Sequence, residues 1–228
     1  MNAEKTIIMS LGGSLIVPNQ IDTEWIKEFK NLIENLIKKG YKFVIITGGG
    51  KTARNYQESA KSLTKLTSDD LDWLGIHATR INAHLIRTIF RENSHPKIIK
   101  NPNEEIDFKE NILVASGFKP GNSTDYVAVL IAKNLGAKKL INLSNIDYIY
   151  NKDPNKFQDA EKIKEISWKD FRKIVGDKWD PGLNSPFDPV ASKKAQEQEL
   201  EVAIINGKKL REIENYLEEK EFIGSVIK

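Results

Sequence analysis

The 228-residue sequence carries 35 lysines and arginines against 32 aspartates and glutamates, a net charge of +3, a balance that gives no electrostatic case for a nucleic-acid partner. It has no cysteine, which removes disulfides, zinc–thiolate sites and thiol catalysis. Hydrophobic content of 39% and charged content of 29%, no signal-peptide pattern in "MNAEKTIIMSLGGS" and no apolar run of membrane-spanning length lead to the expectation of a cytoplasmic globular protein, with no membrane partner.

In chain order, "TIIMSL" (6–11) reads as a strand ending at Gly12-Gly13. "DTEWIKEFKNLIENLIKKG" (22–40) reads as a helix with Asp22 or Thr23 as cap and Gly40 as stop. "YKFVIIT" (41–47) is a second strand, followed by three glycines and a helix to about Ser62. A long helical pattern covers 68–93, and "KNPNEEIDFKEN" (100–111) reads as a surface loop. "NILVASG" (111–117), "KKLINLS" (138–144) and "EVAIING" (201–207) are further strands, and "EFIGSVIK" closes the sequence. Residues 123–136 and 185–198 each show a cap-like start followed by a helical pattern. Strands alternating with helices predict an α/β fold, a mainly parallel open sheet covered on both faces, and residues 1–228 as one domain.

Ligands of such sheets bind at the carboxyl ends of the strands. Four polar or glycine-rich segments fall there: Gly12-Gly13-Ser14, Gly48-Gly49-Gly50, "SGFKPGNSTD" (116–125) and "SNIDYIYNKDP" (144–154). "VIITGGGKTARN" (44–55) is not a P-loop, because the position five before Gly50 is Ile45. Gly48-x-Gly50-x-x-Ala53 fits a dinucleotide fingerprint only loosely. What the stretch does offer is glycines that admit close backbone approach, then a helix start carrying Lys51 and Arg54, both suited to phosphate. A tight strand-to-helix turn that binds nothing is the competing reading. No His–carboxylate pair stands out. His77 and His84 lie seven apart on one helical face and His95 in a loop, all read as structural.

The segments "SLGGSLI", "TGGGKTAR", "LDWLGIHATRINA", "GFKPGNSTDYVA", "NIDYIYNKDPNK" and "FDPVASKKA" occur in the order found in the amino-acid kinase fold, and the chain resembles its UMP kinase branch of the archaeal type. The resemblance covers essentially the whole chain. It implies a three-layer αβα sandwich, ATP as phosphoryl donor with Mg²⁺, UMP as acceptor, UDP as product, and a homo-oligomer, commonly a hexamer. It assigns no protein ligand set to the metal.

By the same resemblance Gly13, Ser14, Gly50 and Arg54 fall at ATP-phosphate positions, and Ser144, Tyr150, Asp153 and Lys156 around the donor nucleotide. Gly49 falls beside the UMP phosphate and Asp72 at the ribose hydroxyls. Gly117, Phe118, Lys119, Pro120, Gly121, Asn122, Ser123 and Thr124 form the loop around the UMP phosphate and uracil. Asp125 falls where an acid orients lysines about the transferring phosphoryl group. Plainer readings stand beside these: an acid in a helix's first turn is served by the helix dipole alone, and "NKDPNK" is also what a solvated turn looks like.

Departures from the family pattern fall at three places: Ser10, Tyr148, and the segment 178–189, which has bulky and proline residues where the comparable loop often has small polar ones. The wider fold often carries lysine two residues before the first glycine, where this chain has Ser10, so Lys51 is assigned as the catalytic cation with Asp125 and Arg54, and Lys119 is the second choice. Tyr148 stands where relatives often have glycine. "KWDPGLNSPFDP" (178–189) reads equally as a subunit contact or a lid. Other acceptors on the same fold, or a non-catalytic nucleotide-binding relative, are the alternatives to a UMP kinase.

Overall fold

The computed structural model describes residues 5–154, 156–176 and 185–228. The first predicted strand, β1 (Thr6–Leu11), has all six residues buried, as expected of a parallel strand covered on both faces. Gly12 follows, then a single turn, α1 (Gly13–Ile16), and α2 (Thr23–Lys38). Asp22 caps α2, its carboxylate accepting from the Trp25 N–H at 3.0 Å. The second strand, β2 (Lys42–Thr47), leads through Gly48 and Gly49 into α3 (Gly50–Leu63). The long helix α4 (Ser68–Ile89) opens on a reciprocal capping box between Thr67 and Asp70.

Then come β3 (Ser94–Ile99), β4 (Ile112–Ala115), α5 (Thr124–Leu135) and β5 (Lys139–Ser144). Two-residue strands β6 (Ile149–Tyr150), β7 (Lys162–Ile163) and β8 (Glu165–Ile166) precede α6 (Trp168–Val175), α7 (Pro189–Glu197), β9 (Glu201–Asn206), α8 (Leu210–Leu217) and β10 (Gly224–Ile227). The main sheet has the order β3-β4-β2-β1-β5-β9-β10-β8. Strands β4, β2, β1, β5 and β9 run parallel, and β10 returns antiparallel against β9.

Side-chain alternation sorts the core into two layers. Ile7, Met9 and Leu11 of β1, with Phe43 and Ile45 of β2, pack on the side of Phe29, Ile86 and Ile213. Ile8, Val44 and Ile46 face the opposite layer, with Val127, Phe171 and Phe187. A period of two therefore places helices α2, α4 and α8 on one face and α5, α6 and α7 on the other.

Several expectations are corrected. The helix expected over 68–93 ends at Ile89, and His95 lies in strand β3 rather than a loop. Residues 185–188 are not helical; α7 starts at Pro189, with Asp188 as its N-cap. Strand β3 and helices α6 and α8 were not anticipated. Of the segment 178–189, residues 178–184 lie outside the described residues.

Candidate active site

Strand order reverses about β1: the chain passes from β1 to β2 and β4 on one side, and to β5 and β9 on the other. A crevice opens at the carboxyl ends of the strands where such a reversal occurs. The first two glycine segments meet there. A Cβ on Gly13 would lie 2.1 Å from the Gly50 nitrogen and 2.5 Å from the Gly48 carbonyl carbon. Gly50 has φ +62°, and its own Cβ would lie 2.2 Å from the Gly13 oxygen. Neither turn admits a side chain towards the other, so the backbones of two strand ends touch directly. Hydrogen bonds hold the interlock: Gly48 N–H to Leu11 O at 2.8 Å, Gly12 N–H to Leu143 O at 3.0 Å, and Lys51 N–H to Val17 O at 2.9 Å. From behind, the buried Asn82 amide donates to the Gly48 carbonyl at 2.8 Å and to Gly49 at 3.2 Å.

The 117–124 loop is tied to α4 at two points. Gly117 N–H donates to Thr79 Oγ1 at 2.8 Å, and Gly121 N–H donates to Asp72 Oδ2 at 2.7 Å. Asp72 is thus no idle surface acid: its carboxylate clasps the loop. Lys119 stands over the Phe118 ring at 5.3 Å, and the Asn122 amide donates to the Gly121 carbonyl. Ser123 caps α5 through the Tyr126 N–H, which sets Thr124 and Asp125 in the first helical turn.

Between the glycines and this loop sits a carboxylate pair. The Ser10 hydroxyl donates to Asp125 Oδ1 at 2.8 Å, and the Asn142 amide to the same oxygen at 3.4 Å. The N–H of Asp188 reaches Asp125 Oδ2 at 3.3 Å, while the Asp188 carboxylate caps α7 through Ala191 N–H. Desolvation pushes the Asp125 carboxyl up to about 6, and the nearby Asp188 charge adds to the rise. Burial raises Asp188 likewise. Two carboxylates held where anionic ligands would enter call for compensating cations.

Of the candidate cations, Lys51 is half-buried and its Nζ lies 3.7 Å from Glu58, itself largely exposed; Arg54 and Lys119 are exposed. On the donor side Ser144 accepts from the Ile146 N–H. Its carbonyl holds the Gly207 N–H at 2.9 Å. Tyr150 pairs with Lys162 across β6 and β7. Asp153 and Lys156 face each other at 3.7 Å in the turn beyond, with Lys156 largely exposed.

Sequence reasoning missed Asp188, Asn142, Asn82 and Thr79. It also missed the network in which Lys209 and Asn206 hold the Asp147 carboxylate, both at 2.8 Å, and keep it below the usual carboxylate range. For Asp188 a signal was present, since Asp immediately before Pro is a strong helix-start pattern.

The model of the amino acid kinase family matches residues 5–206. The chain belongs to the amino acid kinase family. It is 33% identical over 213 residues to the uridylate kinase of Sulfurisphaera tokodaii, covering 90% of this chain and 93% of the relative. To that of Methanocaldococcus jannaschii it is 35% identical over 206 residues, covering 88% and 90%. The fold superposes on the crystal structure of uridylate kinase from Archaeoglobus fulgidus with a TM-score of 0.82 and 30% identity, over 97% of this chain and 99% of that one. The α/β architecture anticipated from the sequence is that of this family.

Proposed function

We propose that this protein is a UMP kinase, transferring the γ-phosphoryl group of ATP to UMP to give UDP and ADP in pyrimidine nucleotide synthesis. One observation supports the reading: at the carboxyl ends of β1 and β2 the Gly13 and Gly50 backbones pack directly on each other, and the Asp72 carboxylate holds Gly121 of the 117–124 loop. The similarity to uridylate kinases over about nine-tenths of the chain points the same way.

The chemistry asks little of an acid or base. A phosphate monoester has a second pKa near about 6, so the attacking oxygen is already ionised at neutral pH. Positioning and positive charge are what the protein must add. Gly13, Ser14 and Gly50 present backbone N–H groups to the donor phosphates, with Lys51 and Arg54 beside them. Ser144, Tyr150, Asp153 and Lys156 flank the donor nucleoside. Gly49 and residues 117–124 enclose UMP, and Asp72 offers its second carboxylate oxygen to the ribose. Asp125 is the organiser of the cations.

Among the described residues no group of three or more His, Cys, Asp or Glu side chains could hold a metal. An oxygen site of one or two carboxylates with substrate phosphates is the usual arrangement for Mg²⁺, and Asp125 and Asp188 fit that donor set. The ion would neutralise phosphate charge there.

We further propose a homo-oligomer, with the hexamer as the expected size. Leu63 and Tyr56 of α3 are 85% and 63% exposed, and Ile81 and Trp73 of α4 are 61% and 43% exposed, large apolar side chains on two neighbouring helices that a subunit contact would cover. Leu63→Glu with Ile81→Glu should lower the mass in analytical ultracentrifugation; an unchanged mass would place any contact elsewhere. No helix among the described residues is long and apolar enough to cross a membrane, and we read the chain as one cytoplasmic domain.

The acceptor is tested by coupled ADP release with UMP, CMP, AMP and GMP. UMP should lead the purine nucleotides clearly, and equal turnover of AMP would remove the reading. Asp72→Asn should raise KM for UMP about ten- to a hundredfold, the equivalent of a charge-assisted bond of about 1.5–3 kcal/mol. The variant should also discriminate deoxyUMP from UMP less than the wild type does.

A further inference from the structure

Beyond the carboxyl end of β5 the chain runs through Ser144 and Asp147 into the β6–β7 hairpin, and Tyr148 stands immediately before β6. We propose that the Tyr148 ring is a stacking platform for the base of the donor nucleotide. The proposal rests on the kinase reading, in which the neighbouring Ser144 and Tyr150 flank that nucleotide. Tyr148 is one of the departures from the family pattern, so this contact belongs to this chain.

The loop that carries it leaves β5 beside the first glycine turn. Gly12 N–H donates to the Leu143 carbonyl at 3.0 Å, and a Cβ on Gly12 would lie 2.7 Å from that same oxygen. Register then fixes which way the ring faces. In the antiparallel β6–β7 pair Ile149 lies opposite Ile163, and Tyr150 opposite Lys162. Paired residues share one face of a ladder, and successive residues alternate between faces. Ile149 is fully buried, and Ile163 packs against the same core layer. Tyr150 and Lys162 therefore hold the outer face. The Lys162 ammonium stands 5.1 Å from the centroid of the Tyr148 ring, which puts that ring on the outer face beside Tyr150.

The backbone under the ring is fixed on both sides. Before it, the Asp147 carboxylate accepts from Asn206 and Lys209, both at 2.8 Å, which ties the loop to the end of β9. After it, the Ile149 N–H donates to Ser225 Oγ of β10 at 2.8 Å. Nor does the turn ask for glycine at this position: among the described residues only Glu199 and Glu219 are non-glycine residues with positive φ. Ile149 makes the core contact, while Tyr148 is only half-buried and keeps surface for a ligand. A lysine within about 6 Å of a ring is attracted by its quadrupole and orients it. Every base has a face that stacks on an aromatic ring, and a ring already held in place loses little freedom when it does so.

The test measures ADP binding by calorimetry without acceptor, and steady-state rates with ATP and UMP. Tyr148→Ala should weaken ADP binding and raise KM for ATP about tenfold, within the range of one base–aromatic stack, with kcat and KM for UMP unchanged. Tyr148→Phe keeps the ring and should bind ADP as the wild type does. If Tyr148→Ala folds poorly, Tyr148→Leu keeps the bulk without the ring and should show the loss of ADP binding. Phe157 lies under Lys152 at 5.4 Å in the turn beyond the hairpin, a second pair of the same kind, and Phe157→Ala should leave ADP binding unchanged. Unchanged ADP binding in Tyr148→Ala would overturn the proposal and leave the kinase reading standing. Equal weakening by Phe157→Ala would overturn it by reducing the effect to disorder of the hairpin, and equal weakening by Tyr148→Phe by placing it in the hydroxyl. A wild type that binds no ADP would remove the kinase reading and the platform with it.

Discussion

The glycine turns after β1 and β2 and the hairpin of β6 and β7 are both read as holding the donor nucleotide, yet they are built in opposite ways. The first is backbone against backbone, with no side chain admitted between Gly13, Gly48 and Gly50. The second is two residues against two, extended by contacts at the surface. Lys152 pairs with Asp159 at 2.5 Å and stands over the Phe157 ring, which is 49% exposed. Ser225 of β10 fixes both strands of the hairpin to the sheet: its hydroxyl accepts from the Ile149 N–H at 2.8 Å and donates to the Ile163 carbonyl at 2.5 Å. Close packing without side chains leaves nothing to rearrange, whereas solvated pairs exchange with water at little cost. The glycine turns should therefore respond to substitution far more steeply than the hairpin.

The steepest response is expected at Gly13. An alanine there puts a Cβ inside contact distance of backbone atoms on a neighbouring strand end, where no flexible side chain can yield. Overpacking of this kind costs about 3 kcal/mol or more. For a chain of this size that lowers Tm by roughly 6–12 °C, and activity should vanish with the turn. A Gly13→Ala protein with normal Tm and turnover would show that the two turns are not locked together.

Next in size is Lys51. Its N–H is fixed to Val17, and among the described residues its ammonium gives up only the loose 3.7 Å contact to Glu58. Lys51→Ala should lower kcat at least about a hundredfold, the scale of one preorganised donor, with little change in KM for UMP. Ser10→Lys in that background should restore part of the rate, because Ser10 already touches Asp125 at 2.8 Å and a lysine there would bring charge to the same carboxylate. Near-normal Lys51→Ala beside inactive Lys119→Ala would move the cation to the 117–124 loop.

The carboxylate between them gives a smaller, pH-dependent signature. Asp125 is raised from an ordinary value near 3.8 to about 6. Between those values the folded state binds more protons than the unfolded, so this group's contribution to stability is lost as pH rises through about 4 to 6. Asp188, also raised, acts in the same direction. Denaturant melts of wild type and Asp125→Asn should show the wild type losing about 1–3 kcal/mol relative to the variant between pH 4 and pH 7. A difference that stays flat over that window would mean that the carboxyl is not desolvated.

The same contrast explains what could be read from the sequence. β1, β2 and the glycines after them were legible because continuous burial and absent side chains leave a local mark. So was α5, with Ser123 at its cap. Strand β3 was hidden by "SHPKII": a proline on an edge strand whose burial is mixed breaks the apolar pattern. Helices α6 and α8, of eight residues each, are too short to declare a period. The contacts that make the site are long-range: Ser10 meets Asp125 across 115 positions and Asp188 meets it across 63. Only the sheet order puts them together. The cap at Asp188 was visible as local chemistry, but not its neighbour.

The smallest effect is expected at Lys156, and it decides whether the hairpin contributes charge at all. Lys156 is 75% exposed and its partner Asp153 lies 3.7 Å away, a distance at which an exposed pair contributes little. For Lys156 to act on a phosphate it must leave Asp153 and be ordered by the ligand, which offsets part of any gain through lost side-chain entropy. Lys156→Ala should therefore change kcat less than about twofold, the usual range for surface substitutions, and raise KM for ATP no more than about threefold. Raising ionic strength should shrink even that difference, since exposed charges are screened within about 10 Å at 0.1 M salt. The same salt series on Lys51→Ala should leave its kcat defect intact, because a half-buried lysine beside the interlocked turns is screened much less. A kcat loss at Lys156 as large as that at Lys51, and equally resistant to salt, would mean that the hairpin closes onto the donor when it binds and becomes as fixed as the glycine turns.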